Sequence, residues 1–320
     1  MADAPRILYL IDISSYFYRA FHAIRGLSTS KGLPTNAAYG VTNMLLKVIK
    51  ERQPHYLALV FDSKGPTQRH REFPEYKAHR PGMPEELVMQ LPYIQKIIEG
   101  FRLPALRQEG FEADDLICTL VHRARKQGFQ VEIITGDKDL LPLVQEGVDM
   151  WDPMKEIRYD PAAIREKYGL TPEELVEVRA LAGDASDNIP GVPGIGEKTA
   201  LKLIAEYHSL ENLLAHAGQI KQKSLRDKLT KNAEQARLSR RLTVLECAVP
   251  LEVDLETLQP GPPDREGLRR LFVELEFNKL VKELGFDTRP PETCLLIWTR
   301  EDLVRLAADL RQRSPAFVIL

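Results

Sequence analysis

Nine acidic residues stand where folding could gather them into one site: Asp12, Asp62, Glu112, Asp114, Asp115, Asp137, Asp139, Asp184 and Asp187. Three of the positions end short apolar runs. Residues 7–11 precede Asp12, residues 56–61 precede Asp62, and residues 131–134 precede Thr-Gly-Asp137-Lys-Asp139. Glu112-Ala-Asp114-Asp115 comes just before the amphipathic run LICTLVHRAR, and Asp184 and Asp187 lie in GDASDN. Magnesium prefers oxygen ligands and keeps several of its waters, so a pair of ions needs many carboxylates, some acting through water. Such a pair clamps the attacking and leaving oxygens of an in-line phosphoryl displacement and generates hydroxide near neutral pH. No nucleophilic Ser or Cys is then required, and none is evident.

Each group also has a plainer reading. An aspartate that ends a strand is commonly a turn former or helix cap. Acids in the first turn of a helix cap it and face the positive end of its dipole. Asp184 and Asp187 read equally as Asx-turn residues. The conjunction favours a site, because several acids meeting at one place are costly to fold unless cations neutralise them.

The elements that must position these acids are legible as periodicity. The three apolar runs are short and rich in β-branched and aromatic residues, as strands buried on both faces are. Helical patterns at about residues 35–52, 84–99 and 113–127 separate them. Strands alternating with helices predict a mostly parallel α/β sheet flanked by helices. The carboxyl ends of such strands share one edge, where ligands sit, so the strand-end aspartates are expected to converge. A polar, basic segment over residues 63–83, too long for a tight connection, is expected to be functional. From about residue 170 the pattern turns to short helices, opening with TPEELVEVRALAG, a capping box of Thr171 and Glu174. GFDTRPPET reads as a linker, and the residues after it as the truncated opening of another domain. The expected organisation is therefore 1–169 as an α/β core, 170–286 as a helical DNA-binding unit, and 287–320 as linker and domain start.

The net charge of −2 does not itself suggest a nucleic-acid binder. Its distribution does: residues 197–241 hold ten Lys/Arg against five Asp/Glu, a local net of +5. Basic surroundings about an acidic pocket suit an enzyme that grips phosphates widely and holds metal at one point. No stretch approaches the ~18 apolar residues of a membrane helix, and the N-terminus has no secretion-signal pattern. Cys118, Cys247 and Cys294 lie far apart with no CxxC pair, which predicts buried free thiols in a reducing cytoplasm rather than disulfides or zinc ligands. The seven histidines show no ligand spacing.

Gly191-Val-Pro-Gly194-Ile-Gly196-Glu-Lys198-Thr199 nearly matches a nucleotide phosphate loop, but Glu197 displaces the lysine by one position and no strand precedes it. A helix–hairpin–helix fits better. Its glycines let backbone N–H groups approach a DNA phosphate, and the helix starting near Glu197 adds its dipole. Such contacts fix position without reading sequence. A purely structural helical hairpin is the alternative.

LIDISSYFYRAFHA, ALVFDSKGPTQRHREFPEYKAHRPGMP, GFEADDLICTL, TGDKDLLPLV and LAGDASDNIPGVPGIGEKTA occur in that order. Together they resemble the 5′-nuclease domain of bacterial DNA polymerase I, within a wider family of phage 5′-exonucleases and flap endonucleases. The resemblance spans about residues 5–286 and implies a PIN-like core. By it, Asp12, Asp62, Glu112, Asp114 and Asp115 serve mainly a first magnesium ion, and Asp137, Asp139, Asp184 and Asp187 a second, with manganese able to substitute. It makes residues 63–83 a helical arch over a single-stranded 5′ end. Lys77 and Arg80 then contact the scissile phosphate, Tyr76 stacks on a terminal base, and Arg69 is a further basic arch residue. The hairpin binds duplex, with a potassium ion held by backbone carbonyls as in relatives. The tail from Cys294 resembles the start of a proofreading-type exonuclease domain.

The resulting expectation is a monomeric, cytoplasmic, structure-selective 5′-to-3′ exonuclease and flap endonuclease. Its expected partners are DNA with a 5′ flap, nick or free 5′ end, RNA-primed duplex, and polymerase domains in the same full-length chain. Two rivals stand beside it. A non-catalytic DNA-binding module of the same fold gains nothing from nine repelling carboxylates beside phosphate. A ribonuclease of a related α/β fold is disfavoured by the glycine hairpin and the long arch.

Overall fold

The computed structural model describes residues 5–63 and 65–286. The expected linker, the following domain start and Cys294 lie outside the described residues. The chain divides into two compact units, Met1–Glu276 and Phe277–Leu320.

A six-stranded sheet organises the first unit, in the order β3-β2-β1-β4-β5-β6. Its strands are β1 (Ile7–Asp12), β2 (Tyr56–Val60), β3 (Ala105–Leu106), β4 (Gln130–Ile134), β5 (Val148–Asp152) and β6 (Ile157–Tyr159). All neighbours are parallel except β5 and β6. The expected parallel α/β sheet is present, and β1 lies between β2 and β4, as its nearly continuous apolar sequence requires.

Helices α1 (Ile13–Ala23), α2 (Asn36–Arg52), α3 (Gln68–Glu72), α4 (Glu85–Val88), α5 (Leu91–Gly100) and α6 (Ala113–Lys126) accompany the first strands. Leu8 and Leu10 of β1, Ala58 and Val60 of β2, and Val131 and Ile133 of β4 pack with Leu116, Ile117, Leu120 and Val121 of α6 in one core. Alternate residues such as Leu57, Leu59 and Ile11 point to the opposite face and are fully buried there. The helix expected over about 84–99 is broken into α4 and α5. Pro92, in the first turn of α5, has no N–H to continue the ladder from α4. Gln90 at the break is buried, and its Oε1 accepts the Ala37 and Ala38 N–H groups at 2.8 and 3.1 Å. The break thus supplies the cap for the start of α2.

Beyond α7 (Pro161–Tyr168), the helices are α8 (Glu174–Ala182), α9 (Glu197–Tyr207), α10 (Leu210–Ala215), α11 (Lys223–Lys231), α12 (Ala233–Thr243) and α13 (Arg265–Glu274). A short α14 (Asn278–Glu283) belongs to the second unit. Residues from 170 to 236 have a core of their own, including Leu181, Ile195, Ile204, Leu213 and Leu229. Half of the expected capping box forms: Glu174 Oε2 accepts the Thr171 N–H at 2.8 Å, three residues before α8 begins. No helix among the described residues is long and apolar enough to cross a membrane.

Candidate metal centre and nucleic-acid interface

The carboxyl ends of β1, β2 and β4 open on one edge, and the acids they carry meet there. Asp12 caps α1, accepting the Ser15 N–H at 3.1 Å, and takes the Thr135 hydroxyl from the end of β4 at 3.0 Å. Asp62, after β2, accepts the Ala113 N–H at the start of α6 at 2.9 Å. Asp137 caps the turn that follows β4 and accepts the Asp139 N–H at 3.0 Å. At the entrance to α6, the Glu112 N–H donates to Asp115 Oδ2 at 3.3 Å, and Asp184 accepts the Ser186 N–H at 2.8 Å. The capping roles and the site are thus the same residues: each local hydrogen bond aims a carboxylate.

Electrostatics record the convergence. Burial first, then the neighbouring Asp62 and Asp137 charges, push the Asp12 carboxyl up to about 7. Asp139 rises to about 7 through burial and Asp137. Asp114 is raised well above its ordinary value by burial and by Asp137, Asp12, Asp139 and Asp62. Buried like charges make ionisation costly, and divalent cations relieve that cost. An all-carboxylate, oxygen-donor set fits magnesium chemically. Among the described residues, no three of these carboxylates offer oxygens all within 4.8 Å of one another.

Cationic side chains thread between the acids. Arg69 meets Asp115 with two nitrogens at 2.8 and 2.7 Å and Glu112 at 3.0 Å. Lys77 Nζ donates to Glu112 at 2.6 Å and lies 3.7 Å from Asp187. Arg80 pairs with Asp187, and Arg179 of α8 pairs with Asp139 and Asp184. Burial tends to raise Asp184, but the Ser186 hydroxyl and Arg179 hold it below the ordinary carboxylate value. These links join Glu112 to Asp115 through Arg69, Glu112 to Asp187 through Lys77, and Asp139 to Asp184 through Arg179.

Two expected DNA contacts, Arg69 and Tyr76, have different surroundings from those predicted. Arg69 is only 9% exposed, and it also donates to the Leu242 and Val244 carbonyls at 2.9 and 3.0 Å. A guanidinium enclosed by two carboxylates and two carbonyls is structural and has no face left for a phosphate. Tyr76, expected as a stacking platform, is 3% exposed and donates or shares its hydroxyl with Glu112 and Asp187 at 3.0 and 3.1 Å. The sequence pattern of a basic loop hid both, because the partners that bury them come from residues 112–115, 187 and 242–244. Lys77 and Arg80 keep an open aspect. They border a cavity of about 450 Å³ with Asp62, Glu112, Tyr18 and His22. Lys77 has φ 55°, a left-handed backbone unusual for lysine, held by its N–H to the Asp187 carbonyl at 2.9 Å. Strain of this kind is retained where the surroundings over-determine it.

The hairpin glycines separate into two kinds. Gly191 has φ 59°, and a Cβ there would lie 2.3 Å from the Gly183 nitrogen; its own N–H donates to Ser239 Oγ at 3.0 Å. Gly191 closes the loop internally instead of approaching a phosphate. Gly196 is open, with nothing within 4 Å of a Cβ, and it precedes α9, whose first turn carries exposed Lys198 and half-buried Thr199. At Gly194 the carbonyl accepts the Lys228 ammonium at 3.0 Å, so a side-chain cation already occupies one of the hairpin carbonyls.

Arg179, Thr135 and Lys228 were not singled out from sequence. Arg179 lies five residues before Asp184 on the turn preceding GDASDN, the one signal that could have marked it. The free-thiol expectation is also corrected: Cys118 and Cys247 are joined as a disulfide across 129 residues, with His122 beside them. Spacing of 129 gave no hint that the segment after α12 returns to α6.

An α/β core with acids along the carboxyl edge of a parallel sheet, followed by a glycine-hinged helical unit, defines a class of nuclease folds. The chain belongs to the 5′-3′ exonuclease family. Residues 7–169 match the model of the 5′-3′ exonuclease N-terminal resolvase-like domain, and residues 170–266 that of the 5′-3′ exonuclease C-terminal SAM fold. The chain is 43% identical over 281 residues to DNA polymerase I of Bacillus caldotenax, covering 87% of this chain and 32% of that protein. It is 46% identical over 276 residues to the thermostable DNA polymerase I of Thermus thermophilus, covering 86% and 33% respectively. The chain therefore spans about a third of the length of these curated relatives. Among solved structures, T5 5′-exonuclease with bound zinc ions aligns with a TM-score of 0.64 at 21% identity, over 75% of this chain and 90% of that one. The catalytic core of Rad2 in complex with DNA substrate aligns with a TM-score of 0.59 at 17% identity, over 96% and 92%.

Proposed function

We propose that this chain is a structure-selective 5′-to-3′ exonuclease and flap endonuclease that hydrolyses DNA phosphodiester bonds with two magnesium ions, manganese being able to replace them. The observation that carries the reading is the crowding of Asp12, Asp62, Asp114, Asp137 and Asp139 at the carboxyl edge of the sheet, with Asp184 tied to it through Arg179 and Glu112 and Asp187 bridged by Lys77 beside a cavity that Lys77 and Arg80 border. Asp12, Asp62, Glu112, Asp114 and Asp115 would hold mainly one ion, and Asp137, Asp139, Asp184 and Asp187 the other. When bound, such ions supply an activated water and neutralise charge on the phosphate.

The chain's own groups do the rest. Lys77 and Arg80 present positive charge at the rim, where a scissile phosphate gains negative charge in the transition state. Arg69 and Tyr76 hold Glu112, Asp115 and Asp187 in place behind them. The open Gly196 and the first turn of α9, with Lys198 and Thr199, offer N–H groups and dipole to a duplex phosphate. Arg179 keeps Asp139 and Asp184 together from the helical side.

The substrates on this reading are DNA with a 5′ flap, nick or free 5′ end, and RNA-primed duplex, handled in primer removal and excision repair. The chain works as a monomer alongside the chromosome in the cytoplasm. The threefold greater length of these two curated relatives, both DNA polymerase I, supports polymerase domains in the same full-length protein. The test is a labelled 5′-flap duplex incubated with magnesium or with EDTA. Cleavage near the junction in magnesium alone is expected. Binding without cleavage under both conditions would leave only a DNA-binding module, and preferential cutting of an RNA flap without a duplex requirement would make the chain a ribonuclease.

A further inference from the structure

After α12 the chain turns back and runs beside α6, the helix that carries Asp114 and Asp115. This strap, residues 244–249, is tied to the acid bowl by its backbone. The Glu246 N–H donates to Asp115 Oδ1 at 2.9 Å, the Val249 N–H to Thr119 Oγ1 at 3.1 Å, and the Val244 carbonyl accepts Arg69 at 3.0 Å. Across the same contact the Cys118 and Cys247 sulfurs are bonded, with Cα atoms 4.9 Å apart, inside the range a disulfide spans without backbone movement. Cys118 sits one helical turn beyond Asp114 and Asp115 and is fully buried, whereas Cys247 is half-buried between exposed Glu246 and Ala248. His122, exposed one turn further along α6, places Nδ1 3.6 Å from the Cys118 sulfur.

We propose that Cys118, Cys247 and His122 form a thiol–disulfide exchange site whose oxidation fastens the 244–249 strap to α6 and steadies the acid bowl. The coupling to the bowl rests on the nuclease reading; the exchange chemistry does not. Exposure decides the order of events. A small-molecule thiolate reaches the half-buried Cys247 sulfur first, forming a mixed disulfide there and breaking the bond to Cys118. The electron pair leaves on the Cys118 sulfur, which lies 3.6 Å from His122 Nδ1 and takes a proton from solvent. A second thiolate attacks the outer sulfur of the mixed disulfide and releases Cys247. The protein disulfide and two thiols thus become the protein dithiol and one small disulfide, and the reverse runs with the small disulfide as oxidant. Opening the bond frees the strap that supplies a backbone donor to Asp115 and a carbonyl to Arg69, so the bowl loosens.

The experiment uses the whole chain, incubated with glutathione disulfide or with excess dithiothreitol. After oxidation, peptide mapping is expected to show residues 118 and 247 in one linked pair of peptides. Reduction is expected to lower the thermal midpoint by about 5 °C or more, given the long loop closed, and to raise the magnesium needed for half-maximal flap cleavage several-fold. Cys247→Ala, at a half-exposed position, is expected to hold the reduced midpoint in both buffers. Full thiol reactivity of both cysteines after oxidation would overturn the site, as would an unchanged midpoint. Stoichiometric zinc retained after purification without chelator would instead make the same three side chains a metal site. An unchanged magnesium requirement with intact disulfide chemistry would overturn the coupling alone. Thiol content and midpoint are read without DNA, so they stand or fall apart from the nuclease activity.

Discussion

Arg69 Nη2 lies 2.7 Å from Asp115 Oδ1 while its Nη1 lies 2.8 Å from Oδ2, a two-pronged pair with both side chains buried. The guanidinium also satisfies Glu112 and two carbonyls of the 242–244 segment. Arg69→Ala would leave buried carboxylates and carbonyls without their donor. Breaking a buried pair from one side costs about 3–5 kcal/mol. We expect a large drop in the thermal midpoint without magnesium, partly recovered when the ion is added. Arg69→Lys is expected to restore only part of the loss, because an ammonium cannot reproduce the fork. Wild-type stability for Arg69→Ala would mean that the pair contributes nothing.

Asp137 stands at the meeting point of several carboxylates, raising Asp12, Asp114 and Asp139 by its charge. Asp137→Asn keeps the side chain's size and removes that charge. Cleavage of a flap substrate at low millimolar magnesium is expected to fall about a hundredfold or more, with DNA affinity retained. Asp115→Asn is expected to lose cleavage too, with an added stability cost because Arg69 loses its charged partner. Full activity in both variants would remove these acids from the site.

Lys77 tests what the rim does. Its ammonium is held by Glu112 and its backbone by Asp187, so it is placed before substrate arrives. Lys77→Ala is expected to lower single-turnover cleavage by about a hundredfold while shifting DNA affinity only a few-fold. Equal losses in both, read by quench-flow and fluorescence anisotropy, would reduce Lys77 to a backbone grip.

What was legible in the sequence follows physical range. β1, β2 and β4 were plain because strands buried on both faces spell out their burial locally. Their terminal aspartates followed, since parallel topology forces one shared edge. β3, with two residues, and the antiparallel β6 carry too little pattern to stand out. The true surroundings of Arg69 and Tyr76 were hidden, because a cation in a basic loop looks the same whether it faces solvent or a carboxylate 46 residues on. The Cys118–Cys247 bond was hidden for the same reason, its partners being brought together only by the return of the chain after α12.

The glycine hairpin separates architecture from contact. Gly191→Ala forces a Cβ against the Gly183 backbone at a left-handed φ of 59°. It is expected to lower the thermal midpoint clearly, and with it everything the helical unit does. Gly196→Ala adds a methyl in open space. It is expected to leave the midpoint almost unchanged and to weaken duplex binding, where a phosphate needs close approach to the backbone. Reversed behaviour of the pair, by melting curves and duplex titrations, would reassign which glycine meets DNA.

The acid bowl also sets a pH dependence. Asp12 and Asp139 are raised to about 7 and Asp114 well above the ordinary 3.8, so the folded, ion-free protein binds more protons than the unfolded chain between those values. Stability then falls with rising pH, because the unfolded chain ionises near 4 while these folded carboxyls resist. For Asp12 and Asp139 the loss runs from about pH 4 to about pH 7, and the raised Asp114 adds to it in the same direction. Asp184, lowered instead, acts in the opposite sense and only on the acid side of that window. In EDTA, the thermal midpoint is expected to decline between pH 5 and 7.5. Magnesium competes with those protons, so the stabilisation it gives is expected to grow over the same interval. Asp12→Asn removes one repelling charge and is expected to flatten the EDTA profile. A midpoint in EDTA that climbs from pH 5 to 7.5 would mean the carboxyls are already ionised and apart, and the crowding on which the metal reading depends would be gone.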